Sequence, residues 1–165
     1  MANRNLLILG AGQYGMVAKE IAESMQFFEK IDFLDDNNRL AIGKLENYEA
    51  YVKEYSYAVV AIGNAEVRLS YLQRLETAEY LLATLVSPHA YVAPSARIAK
   101  GAIVEPMAVI NSNAFVATGV IICAGAIVNH NATVDEGCLL QCGSVVTAGA
   151  QMTKRLTLDY GKVLK

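Results

Sequence analysis

Residues 116–134 read VATGVIICAGAIVNHNATV, and this stretch decides the fold of the chain. Every sixth residue, counted from Val116, has an aliphatic side chain, and this period continues toward both ends of the chain. The residue four places after each aliphatic position is nearly always small, and glycine or asparagine usually precedes it. The pattern predicts a hexapeptide β-helix whose corners are formed by glycine or asparagine and whose interior is aliphatic. The inward positions are Val86, Val92, Ile98, Val104, Ile110, Val116, Ile122, Val128, Val134, Leu140, Val146 and Met152.

The sequence before the repeat has a different pattern. Residues 5–10 read NLLILG, which predicts a buried parallel strand, and GAGQYG at residues 10–15 leads into a helical stretch to about Met25. A G-x-G-x-x-G motif between a strand and a helix is typical of a phosphate-binding turn. Asp35 lies 20 residues after Gly15, where a ribose-binding acid is expected. The other interpretation, that the glycines only let strand and helix pack closely, stays open.

Further strands are predicted at residues 31–35, 57–62 and 80–85, with a helix at 66–76 for which Asn64 is an N-cap. The predicted fold class is an α/β, half-Rossmann-like parallel sheet followed by an all-β left-handed parallel β-helix. We place a nucleotide-binding-like βαβ domain at 1–85, the β-helix at 86–152, and a tail at 153–165 that breaks register and forms a cap or final strand. Because NAD spans two such half domains, a nicotinamide-dependent reductase is disfavoured.

Composition excludes several classes of partner. The net charge is −2 and there is no basic patch, which argues against nucleic acid. No apolar stretch approaches the roughly 20 residues of a membrane span, and the apolar run at 6–10 is too short for a signal peptide. We therefore expect a cytoplasmic protein. The three cysteines lack the spacing of a disulfide framework or a zinc site, so no metal is expected.

His130 is the candidate for proton transfer. It stands two residues after the inward Val128, so its ring should point away from the interior. Histidine titrates near neutral pH and can take a proton from an attacking amine or hydroxyl. The alternative is a solvated corner residue. The other histidine, His89, is interpreted as a cap or surface residue at the start of the solenoid.

Four motifs carry a resemblance to a known family: GAGQYG at 10–15, FLDDN at 33–37, AIGNAEVR at 61–68 and IVNH at 127–130. They resemble the bacterial sugar acetyltransferases that include sialic-acid O-acetyltransferases and UDP-4-amino-sugar N-acetyltransferases. The resemblance implies an enzyme that moves acetyl from acetyl-CoA to an amino or hydroxyl group of a nucleotide-linked sugar. The pathway would be surface glycan or polysaccharide synthesis, and the assembly a homotrimer with a site at each interface.

The resemblance also implies roles for individual residues. His130 becomes the general base, and backbone N–H groups near Ala148 and Gly149 lie beside acetyl-CoA, where they hold the oxyanion. The nucleotide sugar would be bound by Gly12, Gln13, Tyr14, Asp35, Asp36, Gly63, Asn64 and Arg68.

The chain departs from the family pattern in four ways. Asn131 follows the histidine where relatives have Asp or Glu, so it is expected to support His130 only as a neutral amide. Leu139 stands on the acetyl-CoA side where many relatives have a second histidine, and Tyr14 stands where relatives often have histidine. The repeat is also shorter. A catalytically weakened homologue that binds nucleotide sugar, or an assembly partner, is therefore the alternative function.

A homotrimer is also expected from the surface of the solenoid. An outward row of apolar residues is too large to be left in water by a monomer. That row contains Ile103, Val109, Phe115, Ile121 and Ile127.

Overall fold

The structure is a computed structural model that describes residues 2–165. Its first domain is a five-stranded parallel sheet. The strands are β1 (Asn5–Leu9), β2 (Lys30–Leu34), β3 (Ala41–Gly43), β4 (Tyr57–Val60) and β5 (Leu81–Leu82). Their order in the sheet is β3-β2-β1-β4-β5. The first three strands are therefore added toward one edge of the sheet, and β4 and β5 are added on the other side of β1.

Two α-helices cover opposite faces of this sheet: α1 (Gln13–Ser24) and α2 (Ala65–Thr77). The apolar run of β1 serves both faces, because alternate side chains of a strand point to opposite sides. Leu6 and Ile8 pack in the cluster with α1, and Leu7 and Leu9 pack with α2. All four are fully buried, as expected for a central strand of a parallel sheet.

The sequence did not predict two pieces of the first domain. One is the short edge strand β3, and the other is a 3₁₀ helix at Leu45–Tyr51. The strand expected at 80–85 is divided between β5 and the first strand of the solenoid, β6 (Leu85–Val86). Short edge elements of this kind lack the apolar periodicity that identifies central strands.

The second domain is a parallel β-helix of two-residue strands stacked in three sheets. Their orders are β6-β9-β12-β15-β18 for sheet 1, β7-β10-β13-β16-β19 for sheet 2 and β8-β11-β14-β17 for sheet 3. After β6, the strands are β7 (Tyr91–Val92), β8 (Arg97–Ile98), β9 (Ile103–Val104), β10 (Val109–Ile110), β11 (Phe115–Val116), β12 (Ile121–Ile122), β13 (Ile127–Val128), β14 (Thr133–Val134), β15 (Leu139–Leu140), β16 (Val145–Val146), β17 (Gln151–Met152), β18 (Thr157–Leu158) and β19 (Val163–Leu164).

The predicted interior is confirmed. Nine of the twelve aliphatic positions are buried, from Val104 to Met152. The other three, Val86, Val92 and Ile98, belong to the first coil and are half-buried against the same cluster, because that end of the prism is open. The corners also follow the prediction: Asn113 and Asn131, for example, both have φ of 58°. No loop interrupts the hexads between residues 86 and 152.

The predicted break in register after Met152 is wrong. Leu158 and Leu164 lie six and twelve residues further on and pack against the same interior cluster. Their strands pair with β15 and β16, so residues 153–165 continue the solenoid. The corner there contains Arg155 with φ of 63°, which shows that this turn forms without glycine or asparagine.

The first domain packs on sheet 1 of the solenoid. Ile103, Ile121 and Leu139 point outward from this sheet and join the buried cluster that contains α1. The proposal of one free row containing Ile103 and Ile121 is therefore wrong, since a six-residue period places successive outward residues on three different faces. Within residues 2–165, neither helix has the length and apolar character required to cross a membrane.

Candidate functional site

The glycine motif forms a turn at the carboxyl ends of the central strands. Gly10 has φ of 99°, and a Cβ atom at Gly15 would stand 2.1 Å from the Gly10 carbonyl oxygen. These two glycines are therefore required by the close packing of β1 and α1. A Cβ atom at Gly12 would meet nothing within 4 Å, so the middle glycine leaves open space at the start of the helix.

That space is part of a cleft of about 450 Å³. Gly12 is the N-cap of α1 and supplies no side-chain acceptor to the N–H groups of the first turn. Such a helix start favours an anion, because its N–H groups and the helix dipole both present positive charge. The residues that line the cleft are Gly12, Asp35, Asn37, Asn38 and Arg39.

Asp35 shapes this cleft. Its Oδ2 accepts a hydrogen bond from the Ala11 N–H at 2.8 Å, and its Oδ1 accepts from the N–H groups of Asn37 and Asn38. Burial by itself raises the pKa of the carboxyl, but the three hydrogen bonds outweigh that effect and hold the pKa below its usual value. The carboxylate therefore ties the loop after β2 to the glycine turn.

Asp36 is exposed and lies outside the residues that line the cleft. Its Oδ1 accepts from the Leu45 N–H at 3.1 Å. Sequence reasoning missed three residues that line the cleft: Asn37, Asn38 and Arg39. Asn38 donates from its side-chain Nδ2 to the Ala11 carbonyl at 2.8 Å, and Arg39 supplies a positive charge. Their position in the loop that begins with Asp35, directly after β2, was the available signal.

Gly63 and Asn64, in the loop after β4, do not line this cleft. Asn64 is the N-cap of α2, as expected, and its Oδ1 accepts from the Val67 N–H at 3.0 Å. A Cβ atom at Gly63 would lie 3.1 Å from the ring of Tyr14, so these two loops are in close contact.

Arg68 does not face the cleft, and its predicted contact with substrate is wrong. Its side chain is fully buried between α2 and the solenoid. Its Nε donates to the Gly119 carbonyl at 2.6 Å and its Nη2 to the Gly137 carbonyl at 2.8 Å. Its Nη1 donates to the carbonyls of Ile62 and Gly63 at 2.6 and 2.9 Å.

The guanidinium of Arg68 is thus held by backbone carbonyls of both domains. Burial lowers the pKa of Arg68 to about 10, so the side chain stays charged at neutral pH. The sequence placed Arg68 correctly on α2. Its role in joining the two domains depends on how α2 packs on a corner of the solenoid, which the sequence motif does not show.

Tyr14 does not line the cleft and contacts the solenoid instead. Its hydroxyl accepts from Gln141 Nε2 at 3.4 Å, and burial raises its pKa. Gln141 belongs to the corner between sheets 1 and 2. Gln13, by contrast, is exposed beside Gly12.

His130 lies on a different corner, between sheets 2 and 3, and its side chain is exposed as predicted. Its ring Nδ1 lies 2.9 Å from Asn129 Oδ1, which also accepts from the His130 backbone N–H. Asn111, one coil earlier, donates to the same oxygen from its Nδ2 at 3.3 Å. An amide oxygen only accepts, so Nδ1 carries the proton and Nε2 keeps a free lone pair.

Asn129 is therefore the amide that orients the ring, and the expectation that Asn131 does so is wrong. Asn131 forms the corner with a positive φ, and its N–H donates to the Ser112 carbonyl at 2.9 Å. Within residues 2–165, its side chain makes no hydrogen bond. Asn129 is directly bonded to the ring because it precedes His130 on the extended side of the turn.

The structure gives different results for the two residues expected to contact acetyl-CoA with their backbone N–H groups. Ala148 and Gly149 are exposed and lie one coil after His130 and Asn131. The Gly149 N–H donates to the His130 carbonyl at 3.0 Å, so it is not free to hold an oxyanion. Among residues 2–165, the Ala148 N–H has no backbone acceptor.

Leu139 is 6% exposed and packs beneath the first domain on sheet 1. Its predicted contact with acetyl-CoA is therefore wrong. The nine-residue spacing from His130 places it on a different face of the prism, where the first domain covers it.

One chain does not bring all the predicted site residues together. Tyr14, which lies beside the glycine turn, contacts the corner between sheets 1 and 2, whereas His130 stands on the corner between sheets 2 and 3. Arg68 packs on the third corner. The glycine turn and the free imidazole nitrogen are therefore separated by sheet 2.

Known proteins share both the first domain and the whole fold. The sequence profile of the PglD N-terminal domain family matches residues 5–75. The acetyltransferase domain of PglB from Neisseria gonorrhoeae FA1090 superposes with a TM-score of 0.87 at 26% identity, covering 99% of this chain and 92% of that one. Its complex with acetyl coenzyme A gives a TM-score of 0.83 at 27% identity, covering 98% and 87%.

A perosamine N-acetyltransferase variant from Caulobacter crescentus, in complex with CoA and GDP-perosamine, has the same fold. The TM-score is 0.87 at 22% identity, with 93% of this chain and 76% of that chain covered. The resemblance predicted from the motifs is therefore confirmed: the chain is similar to hexapeptide-repeat sugar acetyltransferases, in its first domain by the PglD N-terminal profile and over its whole length by its fold.

Proposed function

We propose that the protein is an acetyltransferase that moves acetyl from acetyl-CoA to an amino or hydroxyl group of a nucleotide-linked sugar. The observation that carries this proposal is the His130 ring, whose Nδ1–H is held by Asn129 Oδ1 at 2.9 Å while Nε2 faces solvent. Similarity to the PglB acetyltransferase domain, whose complex contains acetyl coenzyme A, supports the donor. The pathway we propose is surface glycan or polysaccharide synthesis.

The residues suggest a direct transfer. His130 Nε2 takes the proton from the acceptor as its nitrogen or oxygen attacks the acetyl carbonyl carbon, and the protonated ring then returns that proton to the departing thiolate. Ala148 is exposed on the same corner, and its N–H, which has no backbone acceptor among residues 2–165, is suited to hold the carbonyl oxygen. Acetyl-CoA supplies the activated acetyl group.

We propose that the nucleotide sugar occupies the cleft at Gly12. The open helix start favours its diphosphate, and Arg39 adds a positive charge. Asp36, whose Oδ2 has no hydrogen bond among residues 2–165, stays a candidate for contact with ribose or base, as does Gln13 for contact with the substrate.

A homotrimer would complete the site. The uncovered sheet 2 presents an apolar stripe between the two corners, in which Tyr91 and Val163 are both about half exposed. Such a surface favours association, and packing it on a neighbouring prism would bring His130 of one subunit toward the cleft of another. The outward residues of this stripe are Tyr91, Val109, Ile127, Val145 and Val163.

The free thiols of all three cysteines fit a reducing compartment and support our proposal that the protein works in the cytoplasm.

The weakened-homologue alternative rests on one observation: the group that contacts the His130 ring is a neutral amide. A neutral amide orients imidazole but stabilises its protonated form less than a carboxylate does.

A paired substitution at Gly12 tests the cleft. Gly12→Asp supplies a good N-cap, so the protein should melt no lower than wild type. Its carboxylate would oppose a diphosphate, and we expect nucleotide-sugar affinity to fall by about tenfold or more. Gly12→Asn is the neutral control of the same shape. Thermal shifts with UDP-, dTDP-, GDP- and CMP-sugars, with and without acetyl-CoA, measure binding; equal binding by both variants would contradict the cleft assignment.

Release of free CoA thiol tests the reaction. We expect turnover with one of these nucleotide sugars in the wild-type protein. Mixing His130→Ala subunits with Gly12→Asp subunits should restore part of the activity if the two half-sites come from different chains. Binding of a nucleotide sugar without any thiol release across the panel would favour the weakened homologue instead.

A further inference from the structure

The corner between sheets 1 and 2 holds a cluster that the proposed reaction does not use. Glu105, Cys123 and Cys142 offer one carboxylate oxygen and two sulfur atoms, all within 4.8 Å of one another. Glu105 and Cys123 are 18 residues apart and occupy equivalent positions on successive coils. Cys142 follows 19 residues after Cys123, so the next coil brings its thiol to the same corner.

Glu105 is the least expected member of this cluster. The residue is only 8% exposed, and its Oε2 accepts from the Ala124 N–H at 2.9 Å. Among residues 2–165, no ion pair includes Glu105. A buried carboxylate without a positive partner is costly, and a bound cation is one of the usual ways in which proteins compensate for it.

The donor set identifies the class of cation. Two thiols and a carboxylate match the ligands of zinc, which prefers sulfur, nitrogen and carboxylate oxygen in a tetrahedral arrangement. Gln141 Oε1 lies 3.9 Å from Cys123 Sγ and is near enough to provide a fourth ligand, either directly or through a water molecule. Oxygen-rich sites for calcium or magnesium do not use thiols.

We propose that Glu105, Cys123 and Cys142 bind a zinc ion at this corner. Binding replaces the two thiol protons, which pass to solvent, and leaves zinc bound by two thiolates and one carboxylate. The linear spacing of the cysteines argued against a metal, but stacking with an 18-residue period brings them together. The ion would join three coils next to Gln141, which donates to Tyr14, and would stabilise the corner that contacts Tyr14 of the first domain.

Cobalt provides a direct test, because Co²⁺ bound to thiolate gives a ligand-to-metal absorption band that oxygen ligands do not give. Fully reduced wild-type protein titrated with Co²⁺ should develop this band and reach one equivalent per chain, and Zn²⁺ should remove it. Cys142→Ala is the main variant because Cys142 is exposed, so its loss leaves the interior unchanged. Its Co²⁺ affinity should fall more than about tenfold, as should that of Glu105→Gln.

Cys138→Ala is the control, since Cys138 is buried at a different corner of the solenoid and should leave the titration unchanged. The proposal would be overturned by a reduced wild-type protein without the thiolate band. Cys142→Ala binding Co²⁺ as wild type does would also overturn it. So would a disulfide between Cys123 and Cys142 that persists in reducing buffer, seen as a mass lower by two hydrogen atoms. None of these readouts depends on acetyl transfer.

Discussion

Two corners of the same solenoid, built on the same hexapeptide turn, hold their functional side chains in opposite ways. At the corner against α2, Arg68 is fully buried and its donors all meet backbone carbonyls. At the corner between sheets 2 and 3, His130 is exposed and only one ring nitrogen is occupied. Both residues belong to motifs of the same family resemblance. The difference teaches that a motif residue with every polar atom satisfied stabilises the fold, whereas one with a free atom is available for chemistry.

Arg68→Ala should have the largest effect on stability. It leaves the carbonyls of Gly119 and Gly137 buried without donors and creates a cavity, so we expect a loss of about 3 kcal/mol or more in the free energy of unfolding. Arg74→Ala is the matched control on the same helix. Arg74 pairs with the exposed Glu46, and its loss should cost about 1 kcal/mol or less.

Urea unfolding of both variants measures this difference. If Arg68→Ala is as stable as Arg74→Ala and loses nucleotide-sugar binding, then Arg68 does not join the domains. The original prediction, that Arg68 contacts the substrate, would then be correct.

Asn129→Asp should change the activity of the proposed base, His130. A carboxylate 2.9 Å from Nδ1 favours the protonated form of the ring more than the Asn129 amide does. Because the base acts in its neutral form, the acid limb of the pH–rate profile should move to higher pH. Turnover above that limb should rise by about tenfold at most.

Asn131→Asp is the control for this prediction, because the Asn131 side chain makes no hydrogen bond among the described residues. Its profile should move less than that of Asn129→Asp. A larger shift for Asn131→Asp would show that the residue after His130 orients the ring, as the family pattern implies.

Among the substitutions that are not controls, Asp35→Asn should have the smallest effect, which is on the free energy of unfolding. The pKa of Asp35 is lower in the folded chain than in the unfolded one, so its carboxylate contributes stability above pH about 4 and loses it as the pH falls through the folded value. At pH 7 we expect a loss of about 1 kcal/mol, which shrinks in acid. Asp36→Asn, with one backbone hydrogen bond, should change less. A pH-independent difference between wild type and Asp35→Asn would contradict this account.

The solenoid could be predicted almost completely from the sequence, because every hexad repeats the same physical requirement. Leu158 and Leu164 continued that period, and the charged residues around Arg155 concealed it. The stacked cluster of Glu105, Cys123 and Cys142 was also accessible, since positions 18 and 19 residues apart meet on successive coils.

The site was less predictable for a physical reason. Whether Arg68 reaches a ligand depends on how α2 docks on the solenoid, and whether Asn129 or Asn131 contacts His130 depends on the conformation of one turn. Leu139 was placed beside acetyl-CoA by its spacing from His130, but packing beneath the first domain buries it. Contacts between distant segments are not encoded in local spacing.

Turnover of His130→Ala tests the central claim most directly. Initial rates of CoA thiol release should fall by about a hundredfold or more, because the base is lost from the transition state. The melting temperature and the nucleotide-sugar affinity should stay at their wild-type values, since the ring is exposed and lies on a different corner from the cleft of its own chain. Unchanged turnover in His130→Ala would remove His130 from the mechanism and contradict the account.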